Sequence, residues 1–434
     1  MEAEAEAGVL RLRARALRVC FLTHYFPPEV GAPQTRIDLL ARTLAAGGAD
    51  VTVHTCFPHY PSGEIAAPYG NRPWQVERRD GLRIVRSAVY PAANQGFVRR
   101  LLDHSSFALS ALATAPFSGP FDVVVGETPP LFTAASGAVY AALKRAAYVV
   151  NVADRWPASA VELGMLRDPR AIAAAEALER WVYRRSDLIV APTEGIVREL
   201  GRLPDAAGKA RRTWPVVDID RFDLTEPPAA DPQAPLRLLY AGTIGLAQGL
   251  ATLVEASRLA GPELVETTIA GGGAEADGIR ALLRERRIEN VELLGTVVAA
   301  LVPGLFARSD ACAVLLKDLP IFAGALPTKL LEAMGAGRAL LLSARGEAAE
   351  LVRAAGAGIV VAPEDPRALA EAIRRLHSEP PLRRALGAAG REYAEAHFGA
   401  DRAAAEWATQ LRYALTARQA RRGTRAGAGR RRAG

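Results

Sequence analysis

The chain has little of what staples, threads or anchors a protein. Its 434 residues include 3 Cys, an odd number without the paired spacing of a disulfide framework or a metal knuckle. Cys20 and Cys312 sit in strand-like runs and read as buried thiols in a reducing cytoplasm. No apolar run reaches bilayer length. Met1 to Arg18 alternates Glu, Ala and Arg where a secretory signal would carry a basic start and an apolar stretch. No Gly-x4-Gly-Lys-Ser/Thr occurs, so nothing supports phosphate-loop hydrolysis. No Gly-x-Gly-x-x-Gly follows the first strand of either half, which argues against a dinucleotide oxidoreductase. Aromatics make up 6%, and none is interleaved among Arg418, Arg421, Arg422, Arg425, Arg430, Arg431 and Arg432. The base stacking that nucleic-acid recognition needs is therefore missing from the basic tail.

What is there is enough for two cores: 50% hydrophobic, 23% charged, net charge +7. From Arg18 onward, strand-like runs at 19–22, 51–54, 82–85, 122–125, 148–152 and 188–191 alternate with helical spacings at 34–46, 97–115, 131–144, 171–185 and 194–200. Such alternation predicts a mainly parallel sheet with helices on both faces. Residues 217–235, with Pro227, Pro228, Pro232 and Pro235, break the rhythm and read as a linker. Six more strands follow at 236–241, 265–270, 291–294, 311–316, 339–342 and 359–361. The expected α/β architecture is two doubly wound, Rossmann-like domains facing across a cleft. It comprises a disordered segment 1–17, a first domain 18–216, a linker 217–235 and a second domain 236–399. A helix 400–417 is set to pack back on the first domain, and a basic disordered tail 418–434 follows, with attraction to anionic lipid as a second reading.

Ligands in such sheets bind beyond the strand ends. Lys329 opens a two-turn helix between Pro327 and Gly335. A cation in a first turn opposes the helix dipole and calls for an anion nearby. Either Glu332, three residues on, or a ligand phosphate at the helix N-terminus answers that call. The neighbouring strand ends carry Gly242-Thr243-Ile244-Gly245-Leu246-Ala247-Gln248-Gly249 and Gly271-Gly272-Gly273, with Lys317 on the loop before Thr328. Glycines at successive strand ends let backbone approach a diphosphate, which favours the phosphate reading. In the first half, His24-Tyr25, His59-Tyr60, Glu127 and Asp154-Arg155-Trp156 follow strands and mix polar with ring side chains, as suits a hydroxyl-rich acceptor. Asp154 is an acid that orients a nucleophile or merely caps the next helix, and Glu127 carries the same two readings. Asp218-Ile219-Asp220 resembles a manganese-binding pair but has no strand behind it and reads as structural. The run 97–117, led by Arg99 and Arg100, reads as a buried helix, with membrane docking as the alternative.

Taken in order, Tyr25-Phe26-Pro27-Pro28-Glu29 with Gly31, Tyr60-Pro61-Ser62-Gly63, Asp154-Arg155-Trp156-Pro157, Tyr240 to Gly249, and Leu326-Pro327-Thr328-Lys329-Leu330-Leu331-Glu332 resemble the family 4 retaining glycosyltransferases of GT-B architecture. The likeness is to the branch that builds surface polysaccharides, colanic-acid-type polymers and fucosamine-containing O-antigens. The resemblance implies metal-independent sugar transfer from a nucleotide diphosphate sugar, UDP- or GDP-linked, without a cofactor. The acceptor would be a saccharide or lipid-linked, and the location cytoplasmic or at the inner face of the membrane. It implies that Gly31, Gly242, Thr243 and Gln248 line the diphosphate, that Lys329 neutralises it, and that Glu332 takes the ribose hydroxyls. Gly249, Gly271, Gly272, Lys317 and Thr328 complete the expected donor rim. His24, Tyr25, Tyr60 and Trp156 form the expected acceptor side, and Lys329, Asp154 and Glu127 are the catalytic candidates. One departure stands out: the family's first acid, eight residues before Glu332, is here Gly324. A nucleotide-sugar epimerase and a non-catalytic sugar-nucleotide-binding protein are the alternatives.

Overall fold

The structure, a computed structural model, describes residues 16–93, 97–222 and 234–432. Most of the expected disordered N-terminal segment and residues 223–233 of the expected linker lie outside the described residues.

The first sheet comprises β1 (Arg18–Leu22), β2 (Asp50–Cys56), β3 (Trp74–Arg79), β4 (Leu82–Ser87), β5 (Val123–Thr128), β6 (Ala147–Val152), β7 (Leu188–Ala191) and β8 (Ala210–Arg212). Their order is β3-β4-β2-β1-β5-β6-β7-β8. Every pair is parallel except β3–β4. The central strands are buried throughout because helices cover both faces. The antiparallel β3 was not expected from an apolar run. It is an edge strand with alternating exposure, returned to β4 by Asp80-Gly81, both at positive φ (51° and 77°).

The second sheet comprises β9 (Leu236–Ala241), β10 (Val265–Ala270), β11 (Val291–Gly295), β12 (Ala311–Leu315), β13 (Ala339–Ser343) and β14 (Gly358–Val361), all parallel, in the order β11-β10-β9-β12-β13-β14. Strand order therefore reverses between β1 and β5 in one domain and between β9 and β12 in the other. A ligand crevice opens at such a point. Away from the crevice, the same ion pair pins each central pair of strands. Arg18 meets Asp122 with its backbone N–H at 3.0 Å and its guanidinium at 2.6 Å. Arg237 meets Asp310 at 2.9 Å from both its backbone N–H and Nε.

Two boundaries differ from expectation. The final helix runs Ala400–Arg432 rather than fraying at 417. Its Ala403, Trp407, Leu411 and Ala414 are buried with Val19, Phe21 and Ile37 of the first domain, and Arg418 reaches Asp187 at 3.3 Å. The start of the linker is also packed. Val217, Ile219 and Phe222 join the second domain's core beside Met334 and Phe398, and the Arg391 guanidinium binds the carbonyls of Ile219 and Gly335. Among the described residues, no helix is long and apolar enough to cross a membrane.

Candidate active site

The helices that leave the two crevices, Ala32–Ala46 and Thr328–Gly335, face each other. A small pocket between them is lined by Thr35 and Arg36 of the first domain and by Asp218, Arg221, Thr328 and Glu332. This is the cleft floor, and Gly31 caps the first of these helices.

On the second-domain wall, Pro327 gives the Thr328–Gly335 helix its N-cap, so the Thr328 and Lys329 amides have no carbonyl behind them to bond. The Lys329 amine sits 4.2 Å above the centre of the Tyr240 ring and donates to the Tyr240 hydroxyl. Among the described residues, no ion pair within 4.0 Å joins it to Glu332. Burial pushes the amine down to about 7, against a smaller upward pull from Glu332. Glu332 itself is pushed up by burial and drawn back mainly by Arg221 and then by Lys329. The charge of this lysine is thus poorly matched by its neighbours. The chain has four lysines, Lys144, Lys209, Lys317 and Lys329, against a Lys+Arg total of 54. Two of the four stand on this rim. A lysine can shed its proton in a dry site, whereas an arginine cannot.

The glycines do two jobs. A Cβ on Gly242 would lie 3.0 Å from the Lys329 Nζ, so Gly242 makes room for the amine. A Cβ on Gly271, at φ +150°, would lie 1.9 Å from the Gly242 carbonyl oxygen, and one on Gly272 2.6 Å from the Thr296 hydroxyl. Gly271 and Gly272 let adjacent turns nest. The Gln248 side chain accepts from the Gly245 amide at 3.1 Å, and Thr243 is exposed at the mouth. Gly249 passes over the stem of Lys317. Lys317 has an acid of its own, Glu275 at 4.0 Å, so it is not the open cation that Lys329 is.

In the first domain, Glu127 accepts from Asn151 at 2.7 Å and Arg36 at 3.1 Å. Burial pushes its carboxyl up, against Arg36 and Asn151. It holds Arg36 at the cleft floor and does not stand free to act on a substrate. Asp154, also pushed up by burial, accepts from the Ser159 hydroxyl at 3.0 Å. Trp156 packs on the core around Val150 and Tyr183, apart from the other acceptor candidates. His24, Tyr25 and Tyr60 do come together, with the Tyr25 and Tyr60 rings 5.3 Å apart. They meet His59, Asp103 and His104, two of which lay hidden in what read as an apolar helix. His59 donates to the Phe57 carbonyl (2.9 Å) and reaches Asp103 (3.1 Å), while Tyr25 meets His104 at 3.2 Å. Burial pushes His104 down to about 3. His54, by contrast, is a core residue between Ser87 and Tyr140, pushed down to about 3 by burial.

Gly324 lies where the domains touch. A Cβ there would come within 3.2 Å of the Gly195 backbone at the start of the Glu194–Gly201 helix. The acid at that helix N-terminus is Glu347, which accepts from the amides of Glu194 (2.9 Å) and Gly195 (2.7 Å). Glu347 was marked only by its place after a strand of the second domain, and nothing in the local sequence pattern marked Arg36, Arg221 or Asp103, since each finds its partners across long separations in sequence.

Residues 31–213 match the glycosyl transferase 4-like domain, and residues 225–393 match the glycosyl transferases group 1 family. WcaI of Escherichia coli (strain K12), named for glycosyl transfer in colanic acid biosynthesis, is 25% identical over 369 residues, 81% of this chain and 89% of WcaI. Sucrose-phosphate synthase from Thermosynechococcus elongatus has a similar fold, with a TM-score of 0.71 at 20% identity over 95% of this chain and 100% of that one. Anabaena Alr3699/HepE in complex with UDP superposes with a TM-score of 0.62 at 16% identity over 92% of this chain and 99% of that one.

Proposed function

Because the chain belongs to the family 4 glycosyltransferases of GT-B architecture, we propose that it moves a sugar, with retained configuration, from a nucleoside diphosphate sugar to a saccharide or lipid-linked acceptor. Surface polysaccharide assembly is the setting that WcaI's name suggests. One observation carries the reading: the Lys329 amine is held over Tyr240 at the second-domain crevice with no ion-pair partner among the described residues.

The chemistry follows from charge. As the glycosidic bond breaks, negative charge grows on the departing diphosphate. Fixed donors aimed at that charge lower the barrier because they need no reorganisation. Lys329 and the helix N-terminus at Thr328 supply them, with the Gly242–Gly249 turn shaping the wall. Glu332, beside Arg221, is placed to accept from the ribose hydroxyls. Arg36, steadied by Glu127, closes the floor from the other domain. Tyr25 and Tyr60 form the acceptor wall, with the buried His24 behind them. An epimerase would need a free acid and base in this cleft, and Glu127 is committed to Arg36 and Asn151.

Calorimetry with UDP, GDP and their sugar conjugates is expected to show one saturable site. No heat of binding for either nucleotide up to about 1 mM would overturn the proposal.

The same proposal sets the enzyme against a membrane. The Phe97–Thr114 helix is buried on one side through Phe107 and Ala111, but Val98 (65%), Leu102 (48%) and Leu109 (70%) stand exposed on another. From sequence a buried helix is the first expectation and membrane docking the alternative, and the exposed side agrees with the second. An exposed apolar stripe beside Arg99 suits the boundary of an anionic bilayer. Sedimentation with anionic vesicles is expected to carry the protein down, and Leu102→Glu with Leu109→Glu to leave most of it in the supernatant. Equal sedimentation of the double variant would refute the contact.

A further inference from the structure

A set of polar atoms lies beneath the acceptor wall without hydrogen-bond partners among the described residues. His24 follows β1 and is fully buried, yet neither of its ring nitrogens makes a hydrogen bond. Its Nε2 is 3.2 Å from Asp103 Oδ1, but outside hydrogen-bond geometry, and that oxygen is also unbonded. His104, the next residue on the helix, brings its ring to 4.9 Å from that of His24. One ligand atom from each of His24, Asp103 and His104 falls within 4.8 Å of the others. Buried polar atoms are almost always bonded, so an unbonded imidazole nitrogen facing an unbonded carboxylate oxygen, with His104 beside them, marks a place for something else.

The surroundings say what. Asp103 and Glu29 are both buried carboxylates. Glu29 is occupied by the amides of His59 (2.8 Å) and Tyr60 (2.9 Å). Both nitrogens of His59 face acceptors, the Phe57 carbonyl and Asp103 Oδ2, so it is the imidazolium of the group. That leaves two buried carboxylates with one imidazolium in contact with them, Arg100 being a further cation nearby, and a buried charge needs a counter-charge close at hand. Two imidazoles and one carboxylate, with the carboxylate held from behind by a third imidazole, are the ligand chemistry of a first-row divalent ion. Zinc takes nitrogen and oxygen donors at roughly 2.0–2.1 Å, so binding would draw these atoms inward from their spacing of within 4.8 Å.

We propose that His24, Asp103 and His104 hold a divalent transition metal of the zinc class. It would stand apart from the donor diphosphate and tie the β1 loop to the Phe97–Thr114 helix. It would fix Tyr25, which meets His104, and through the His59–Glu29 contacts Tyr60. The rival arrangement is a second imidazolium, His24 paired with Asp103 in the absence of any metal.

Full-length protein stripped with chelator and then titrated with Zn²⁺, Co²⁺ and Mg²⁺ separates the two. Binding of one Zn²⁺ or Co²⁺ per chain is expected. Cobalt should show visible absorption from nitrogen ligation, and the melting temperature should rise with zinc but not with magnesium. His24→Gln and His104→Gln are each expected to weaken zinc binding by at least about tenfold, with UDP affinity as the check that they have folded. A measurement on unmutated protein guards against unfolded variants: histidine nitrogen resonances should shift on zinc addition. Stripped wild-type protein that takes up neither zinc nor cobalt, or a doubly protonated His24 whose resonances ignore zinc, would overturn the proposal. The donor reading would be untouched by that result, because it rests on Lys329.

Discussion

Replacing Lys329 with methionine is expected to lower turnover by roughly 10²–10³-fold, the size of losing one preorganised donor to a developing anion, and to weaken nucleoside diphosphate binding. Methionine keeps the stem packed over Tyr240 and removes only the charge. The wild-type enzyme should also show a pH dependence that the variant lacks. Burial holds the free amine at about 7. A bound diphosphate favours its charged form, so the bound pKa is higher and a proton is taken up on binding. Affinity is therefore full below pH 7 and falls as pH rises through the window above it, by up to about tenfold per unit. The nucleotide is already ionised there, its last phosphate proton leaving near pH 6. Calorimetry in buffers of different ionisation heat reads this proton directly. A variant that binds UDP as tightly as wild type, or a flat wild-type profile between pH 7 and 9, would return Lys329 to a structural role beside Tyr240.

How much of this was legible depends on whether the signal was local. The alternation of strand and helix is local, because a strand buried on both faces must be apolar along its length, as in β5 and β6. It gave two doubly wound domains and both crevices. The Lys329 turn was legible for the same reason: Pro327, a lysine in the first turn and glycines at the far end are neighbours in sequence. The antiparallel β3 was legible in principle from Asp80-Gly81, a hairpin signal, but its half-exposed alternation of Trp74, Val76 and charged residues hid it. What could not be read was pairing over distance. Lys329 leaned on Tyr240, 89 residues away, rather than on Glu332 in its own helix. Glu127 was taken by Arg36, 91 residues away. Asp103 and His104 were polar interruptions of an apolar run until the fold laid them against His24.

Gly324 gives the second large effect, and it runs against what family likeness alone would suggest. Restoring the acid by Gly324→Glu ought to help if that position only awaits a contact to the donor sugar. The geometry says otherwise. Gly324 is buried, its Cβ would abut the Gly195 backbone at 3.2 Å, and the nearby helix N-terminus is already capped by Glu347. A second carboxylate would collide with that backbone and set two like charges side by side, so the domains must part. Parting them misplaces the acceptor wall relative to Lys329, and displacement on the order of 1 Å costs about 10²-fold in rate. Gly324→Glu is therefore expected to lower turnover by about that factor with a smaller loss of UDP affinity, since all of the donor rim but Gly31 and Arg36 belongs to the second domain. Adding Glu347→Gln should recover part of the loss by removing one of the opposed charges, and a double-mutant cycle measures how much. If Gly324→Glu alone is as active as wild type or more so, the contact between Gly195 and Gly324 must open when donor is bound. The missing acid would then have a substrate to meet, and the Glu347 cap would belong to the resting enzyme only.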